Sequence, residues 1–456
     1  MQPKSGGKGD CPTLTTPEAI RTLQRKLYVK AKQEPAYRFY ALYDKVWRAD
    51  ILMFAYRLVR ANKGSSGIDG MNFEDMEQKS GIDTFLLELA QDLRNKTYHP
   101  SPVRRVMIPK VDGSQRPLGI PTIRDRVAQM AVKLVIEPIF EADFCPNSYG
   151  FRPKQSAHDA VDDIADALHQ GYVHVIDADL SKYFDSIPHA KLLAVVAERI
   201  VDSAILRVIK LWLKAPVIGE DKDGTRKHVG GGKANSRGTP QGGVISPLLA
   251  NCYLHLLDRI WDKHQLRRKL QARIVRYADD FVVLCRGKID APLATVRHVL
   301  ERLDLTLNET KTHIVDARKE SFNFLGFAIR VSKSWKSGNR YTHICPAPES
   351  LAKIKDRITQ LTARERTPIP LEDVIGSMNT TLRGWTNYFH YHNSSGILDK
   401  VKAHAEERLR THLMKRHKVK DRGTGLGRFP SQKLYAYYGL YKVPTTAGWK
   451  TAHALT

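Results

Sequence analysis

Two short apolar, β-branched runs, Ile274-Val275 and Phe281-Val282-Val283-Leu284, are separated by Tyr277-Ala278-Asp279-Asp280. That spacing predicts a strand, a tight turn and a second strand, with both acids at the tip. Upstream, the run Tyr172–Leu180 alternates. As a strand it places Val173, Val175, Asp177 and Asp179 on one face and His174, Ile176, Ala178 and Leu180 on the other. Near the start, Ile20, Leu23 and Leu27 recur at helical spacing behind Thr15, Thr16 and Pro17. They predict a first helix whose other face carries Arg21, Arg25, Lys26, Lys30 and Lys32. A second helix is expected over about 36–61, stopping before the Lys63-Gly64-Ser65-Ser66-Gly67 loop. The Gly/Lys/Asp-rich segment 219–236 predicts a hairpin or a mobile loop. Beyond about Ile344 the pattern turns helical. Leu351, Ile354, Ile358 and Leu361 form one stripe, and Leu382, Trp385 and Phe389 a second. Ile397, Val401, Ala405, Leu409 and Leu413 form a third, so a three-helix bundle is expected.

Adjacent carboxylates repel, so Asp279 and Asp280 either stay solvated or share a cation. Asp is a common turn residue, and the tetrapeptide alone reads as a surface turn. Asp179, at the carboxyl end of its strand face, changes the picture. Three carboxylates from two strands could hold two Mg²⁺ ions about 4 Å apart, the clamp for in-line phosphoryl displacement. Phe184 follows at a distance where it could form the floor beneath a bound sugar, although alone it reads as a core aromatic.

The chain has 456 residues, enough for two to four domains, and its 73 basic against 48 acidic residues leave a formal charge of +25. That excess implies a polyanionic partner, and nucleic acid is the usual one. No apolar run approaches the ~18 residues of a membrane-spanning helix. Met1 to Pro12 shows no apolar stretch, so no secretory signal is expected. The five cysteines are scattered without a CxxC pair, which fits a reducing cytosol with buried thiols and argues against a zinc or disulfide scaffold. The stretch 401–420 holds seven Lys/Arg and two Glu, with His404, His412 and His417 expected at the surface or facing RNA. The last residues interleave Arg422, Arg428, Lys433 and Lys442 with Tyr435, Tyr437, Tyr438 and Tyr441. Such interleaving suits nucleic-acid contact, and a tyrosine cluster is equally a small-domain core.

Asp179 with Phe184, then Arg237-Gly238-Thr239-Pro240-Gln241-Gly242-Gly243, then Tyr277-Ala278-Asp279-Asp280, resembles polymerase motifs A, B and C of reverse transcriptases. In detail the chain is similar to the reverse transcriptase/maturases encoded by bacterial group II introns. Arg116-Pro117-Leu118-Gly119-Ile120-Pro121 and Asn147-Ser148-Tyr149-Gly150-Phe151-Arg152-Pro153 match in order. So do the segment from Gly242 to Asn251 and Phe324-Leu325-Gly326-Phe327, and the resemblance runs roughly from residue 37 to 420. It implies an α+β right-hand polymerase fold, fingers and palm with an antiparallel palm sheet, followed by an α-helical thumb. The implied organisation is a tail and basic helix over 1–35, fingers and palm over 36–335, a helical thumb/maturase (X) domain over 345–417, and a short basic DNA-binding-like region over 418–456. Arg383-Gly384-Trp385-Thr386-Asn387-Tyr388-Phe389 falls within the third of these.

The resemblance also implies roles. Asp179, Asp279 and Asp280, with the main-chain carbonyl of Leu180, would hold two Mg²⁺ ions; Asp177 would act at most from behind them. Lys110 and Arg116 would contact the triphosphate. Phe184 would exclude a ribose 2′-hydroxyl, and Gln241 would touch the incoming nucleotide or template base. Lys311 would protonate the leaving pyrophosphate. Phe324, Leu325, Gly326 and Phe327 would form the primer grip. Arg25, Lys26, Lys415, Arg416, Lys418 and Lys420 are the expected RNA contacts. The implied partners are group II intron RNA, an RNA template, a DNA primer or target DNA, and dNTPs, in a bacterial cytosol or nucleoid, without a membrane. The Cys/His cluster of an HNH endonuclease is not seen, which implies priming from a nascent strand. Two other functions stay open: a non-enzymatic splicing cofactor, and a related enzyme recruited to CRISPR or phage defence. Three intact aspartates favour the polymerase, because a binding-only protein has no need for like charges packed together.

Overall fold

The computed structural model describes residues 14–447, apart from 80, 110–112, 114, 221, 222 and 224. The strands are β1 Val103–Pro109, β2 Gln115–Ile120, β3 His174–Ala178, β4 Val217–Glu220, β5 Arg226–Gly230, β6 Ala272–Tyr277, β7 Asp280–Cys285, β8 His313–Asp316, β9 Phe322–Phe324, β10 Phe327–Lys333 and β11 Arg340–Pro346. They form sheets ordered β2-β1-β4-β5, β6-β7-β3-β8 and β11-β10-β9. With helices flanking the sheets, the fold is mixed α+β.

The chain divides into two compact units. The first comprises Met1–Ala160, Ala178–Val283 and Lys288–Thr312. Its core is the Ile123–Asp143 helix, which Thr122 caps by accepting from the Asp125 N–H. Val127, Ala131, Val132, Val135, Ile136 and Ile139 on that helix are fully buried. They make a broad apolar face that must be covered, and the Glu18–Gln33 and Ala49–Ala61 helices pack on this helix. The expected first helix therefore forms, with Ile20 and Leu27 buried. The expected second helix does not run unbroken over 36–61. Phe39 is extended in a bridge to Ile200, and Asp202 accepts from the Leu42 and Tyr43 N–H groups at 2.8 and 2.9 Å. Those tertiary bonds replace helical ones, so only Tyr43–Val46 and Ala49–Ala61 are helical. The 219–236 segment contains an antiparallel β4–β5 pairing, as one of its two readings required.

The second unit comprises Val161–Asp177, Leu284–Gly287 and His313–Thr456. Its helices Pro348–Leu361, Leu371–Phe389 and Ser395–Arg416 bury the three stripes read from the sequence, with Leu398 in place of Ile397 at the start of the last. Phe429, Leu434, Leu440 and Val443 join the same cluster, and Tyr435, Tyr438 and Tyr441 pack against it. His412 corrects an expectation. It is fully buried, not RNA-facing, because it lies seven residues after Ala405 on the apolar stripe. Its Nδ1 is 3.3 Å from the Thr362 carbonyl, and burial lowers its pKa. His404 is half-buried as well, with Nε2 3.1 Å from the Lys355 carbonyl. Of the three, His417 is exposed.

Candidate active site

β6 and β7 form the predicted hairpin, and Ala278 turns it with φ +58°. A non-glycine residue in the left-handed region is uncommon and must be held there. What holds it is a polar network inside the first unit. The fully buried Arg276 guanidinium donates through Nη1 to the Ala278 carbonyl at 2.9 Å and to Asn251 Oδ1 at 3.0 Å. Its Nε and Nη2 grip Asp258 at 3.0 and 2.5 Å, both side chains being shut off from solvent. Asn251 Nδ2 donates to the Gly150 carbonyl at 2.6 Å, and Asn147 Nδ2 to Asp258 at 3.1 Å. The main chain of Asn147–Tyr149 pairs with Arg276 in both directions, at 2.9 and 2.8 Å. Gly150 lies against the turn so closely that a Cβ there would sit 2.3 Å from the Ala278 nitrogen. None of this support was predicted. The available signal was Asn251 and Asp258, polar residues seven apart on one face of the Ser246–Lys263 helix.

Asp179 leaves the end of β3 and is fixed by a second segment. Its carbonyl accepts from the Asn308 N–H at 2.8 Å, and its Oδ2 from Asn308 Nδ2 at 3.0 Å. Leu180 bridges Leu307, and Ser181 N–H donates to the Thr306 carbonyl. Lys311 ends the same segment, its N–H on the Asn308 carbonyl and its side chain exposed.

Asp279 feels Asp179. Burial raises its carboxyl pKa above the ordinary carboxylate range, and the Asp179 charge pushes it further up. Its own backbone N–H and the positive charges of Arg116 and Arg276 act the other way. Arg116, on β2, donates through Nε to Gln241 Oε1 at 2.8 Å, so two of the predicted nucleotide contacts meet each other. The Gln241 carbonyl in turn accepts from Gly119 N–H at 2.6 Å. Gly242, at φ +114°, leaves no room for a side chain, since a Cβ would stand 2.3 Å from the Gly119 carbonyl oxygen. Phe184 is buried against Tyr183, its carbonyl accepting from Thr239 N–H at 2.7 Å. Lys110 lies outside the described residues.

Among the described residues, no group of three or more His, Cys, Asp or Glu side chains is close enough to hold a metal ion. Asp280 is exposed at the first residue of β7, while Asp279 lies in the turn and is half-buried. The Asp179 charge acts on the Asp279 carboxyl. That donor set suits Mg²⁺, which takes oxygen ligands and binds through one or two carboxylates with substrate phosphates completing its shell.

Phe324, Leu325, Gly326 and Phe327 lie in the second unit. Leu325 and Gly326, at φ +50° and +81°, make the two-residue turn between β9 and β10. Tyr388 Oη donates to the Leu325 carbonyl at 2.9 Å, Ala347 N–H and Ser350 Oγ donate to that of Gly326, and Phe327 packs on Phe389. Phe324 and Phe327 are buried, while Leu325 and Gly326 are partly exposed. Arg25 and Lys26 are exposed, as are Lys415, Lys418 and Lys420. Arg416 differs: its half-buried Nη1 donates to the Thr367 and Ile369 carbonyls, both at 2.6 Å, and ties the helix end to that loop.

A family model described as reverse transcriptase (RNA-dependent DNA polymerase) matches residues 108–329, the span that carries every motif around the aspartates. The chain is an RNA-directed DNA polymerase by class. A second model, the group II intron maturase-specific domain, matches residues 351–429. Protein YkfC of Escherichia coli is 34% identical over 68% of this chain and 88% of its own length. The group II intron-encoded protein LtrA of Lactococcus lactis is 29% identical over 77% of this chain and 70% of its own. A 91 kDa protein in the cob intron of Schizosaccharomyces pombe is 26% identical over 77% of this chain, which spans 51% of that relative. The chain belongs to the group II intron-encoded reverse transcriptase/maturase family. Among its described residues no helix is long and apolar enough to cross a membrane.

Proposed function

We propose that the chain copies RNA into DNA with Asp179, Asp279 and Asp280 as its catalytic carboxylates, and that it binds its group II intron RNA to assist splicing and intron mobility by target-primed synthesis. The observation that carries this reading is the electrostatic coupling of Asp279 to Asp179 and to Arg116, with Arg116 hydrogen-bonded to Gln241. Two Mg²⁺ ions held by these aspartates and the Leu180 carbonyl would offset the charge that builds on the phosphates during transfer. The remaining work belongs to the chain. Arg116, with its bond to Gln241 exchangeable for a phosphate oxygen, grips the triphosphate alongside Lys110. Gln241 is then released toward the nucleotide or template base, and Gly242 allows the backbone to approach. Phe184 sits beneath the sugar, and Lys311 supplies a proton to the departing pyrophosphate. The Leu325–Gly326 turn steadies the primer through its backbone, and Arg25, Lys26, Lys415, Lys418 and Lys420 meet RNA phosphates. This reading places the chain on RNA template, DNA primer and dNTPs.

Asp279→Asn tests it. Loss of one carboxylate should lower primer extension on an RNA template by about 10³-fold or more, while binding to the intron RNA changes little. Near-normal extension by the variant would remove these carboxylates from the reaction.

A further inference from the structure

The β10–β11 hairpin continues well past the turn assigned to the primer. It is paired in register over seven rungs, from Phe327 opposite Pro346 to Lys333 opposite Arg340. Its base is apolar, with Phe327, Ile329 and Ile344 fully buried. Its outer end reverses that character. Arg330, Lys333, Lys336 and Arg340 carry positive charge, and no acidic residue occurs from Phe327 to Pro346. Lys333 and Arg340 stand directly across from each other. Like charges opposed on adjacent strands destabilise the pair in a bare protein, so the arrangement favours a polyanion at this end.

The tip holds a second signal. Trp335 is 89% exposed, on a loop closed by Ser334 N–H to the Asn339 carbonyl and Gly338 N–H to the Ser334 carbonyl, both at 2.8 Å. Ser337 N–H adds a bond to Ser334 Oγ at 3.3 Å, and Gly338 takes φ +73° to close the turn. The Lys336 ammonium is 5.2 Å from the indole centroid. A large aromatic surface held in water on an ordered loop forgoes the stabilisation that burial would give. Its flat faces and flanking cations match a base with phosphates on either side.

We propose that this hairpin is an arm for single-stranded RNA, on which an unpaired base stacks against Trp335 while Lys333, Lys336 and Arg340 contact the neighbouring phosphates. The proposal rests on the RNA-binding reading above and adds to it the class of RNA and the residues that meet it. Paired bases keep their faces inside the helix, and the major groove of an RNA duplex is too narrow for side chains, so looped or unpaired nucleotides are the occupant an indole can reach.

The test uses the full chain, a fluorescein-labelled 12-nucleotide oligoadenylate, and an abasic ribose-phosphate oligonucleotide of the same length that carries no bases. Trp335→Ala should weaken binding to the intact oligonucleotide by roughly 5- to 150-fold, the range that one base–aromatic stack supplies. Trp335→Phe should restore most of the affinity. Wild type and Trp335→Ala should bind the abasic oligonucleotide alike. Irradiation of the complex with a single 5-iodouridine at the centre should yield a cross-linked peptide containing Trp335. Equal binding of wild type and Trp335→Ala to the intact oligonucleotide would overturn the proposal. So would equal weakening toward the abasic one, or a Trp335→Ala defect confined to anionic lipid vesicles. Primer extension by the wild-type protein is read separately; its failure overturns the polymerase reading and leaves the stacking result standing.

Discussion

Gly150→Ala adds one methyl group at the back of the turn that carries Asp279. Its Cβ would lie 2.3 Å from the Ala278 nitrogen, 2.8 Å from the Tyr277 carbonyl carbon and 3.0 Å from the Ala278 Cα. Ordinary contact begins at 3.4 Å, so something must retreat by about 1.1 Å. Every crowded atom is backbone, and the Ala278 carbonyl is pinned by the buried Arg276 guanidinium at 2.9 Å. Arg276 is in turn clamped on Asp258 and Asn251, so the strain falls on the turn. Overpacking of this kind costs about 1–3 kcal/mol of stability. The functional loss should be larger than the stability loss implies, because a displacement of about 1 Å at a reacting centre lowers a rate by about 10²-fold. Single-nucleotide incorporation on an RNA template at saturating dNTP should therefore fall by about 10²-fold, in protein that still unfolds cooperatively. A kcat within about threefold of wild type, with an unchanged melting temperature, would show that Gly150 does not set the position of the turn.

Phe184→Ala should admit ribonucleotides, lowering discrimination by about tenfold or more, the equivalent of about 1.4 kcal/mol of lost steric exclusion. Because Phe184 is buried, its melting temperature must be read alongside, and unchanged discrimination would make the ring a core residue only. Changing Lys415, Lys418 and Lys420 together to Glu should flatten the log–log salt dependence of intron RNA binding by about 2 to 3 in slope, at about 0.7–0.9 per phosphate. Arg416 is left alone, since it ties the helix to the Thr367–Ile369 loop; an unchanged slope would make the three lysines a solvated face. His255 should make the fold acid-sensitive. Burial first, with Arg276, Arg259 and Arg152 adding to it and Asp258 opposing, pushes its pKa down to about 4. The unfolded chain takes up this proton near pH 6.5, and the folded chain only near 4. The contribution is therefore complete above about pH 6.5 and is lost as pH falls toward 4, by about 3 kcal/mol at 1.36 kcal/mol per pH unit. His255→Gln should show a smaller drop in urea midpoint between pH 7.5 and 5; an identical drop would assign the sensitivity to other groups.

The elements that were legible in the sequence are those whose own residues state their surroundings. The strands on either side of Ala278-Asp279 announce themselves by apolar runs, and the three helices of the second unit by their stripes, with Leu398 buried in place of Ile397. The residues that escaped are defined by partners far away in sequence. Phe39 is extended because it meets Ile200, 161 positions on, and no local pattern records that. Arg276 looks like a polar interruption of a strand, yet it is fully buried because Asn251, Asp258 and the Ala278 carbonyl absorb its donors. His412 was misread for a related reason: its charge-capable ring was weighed with the basic residues around it rather than with the apolar stripe it completes. The same contrast separates the two kinds of site residue. Asp179 and Asp279 can be named from a motif, but what brings their charges to bear on one another is a supporting shell of Asn308, Gly150, Asn251 and Arg276, the last neutralised by the buried Asp258. A like-charge pair in a partly buried place is costly unless its geometry is enforced. Enforcement here comes from amides, a glycine and a buried Arg276–Asp258 pair, residues that a search for catalytic carboxylates at the strand ends passes over.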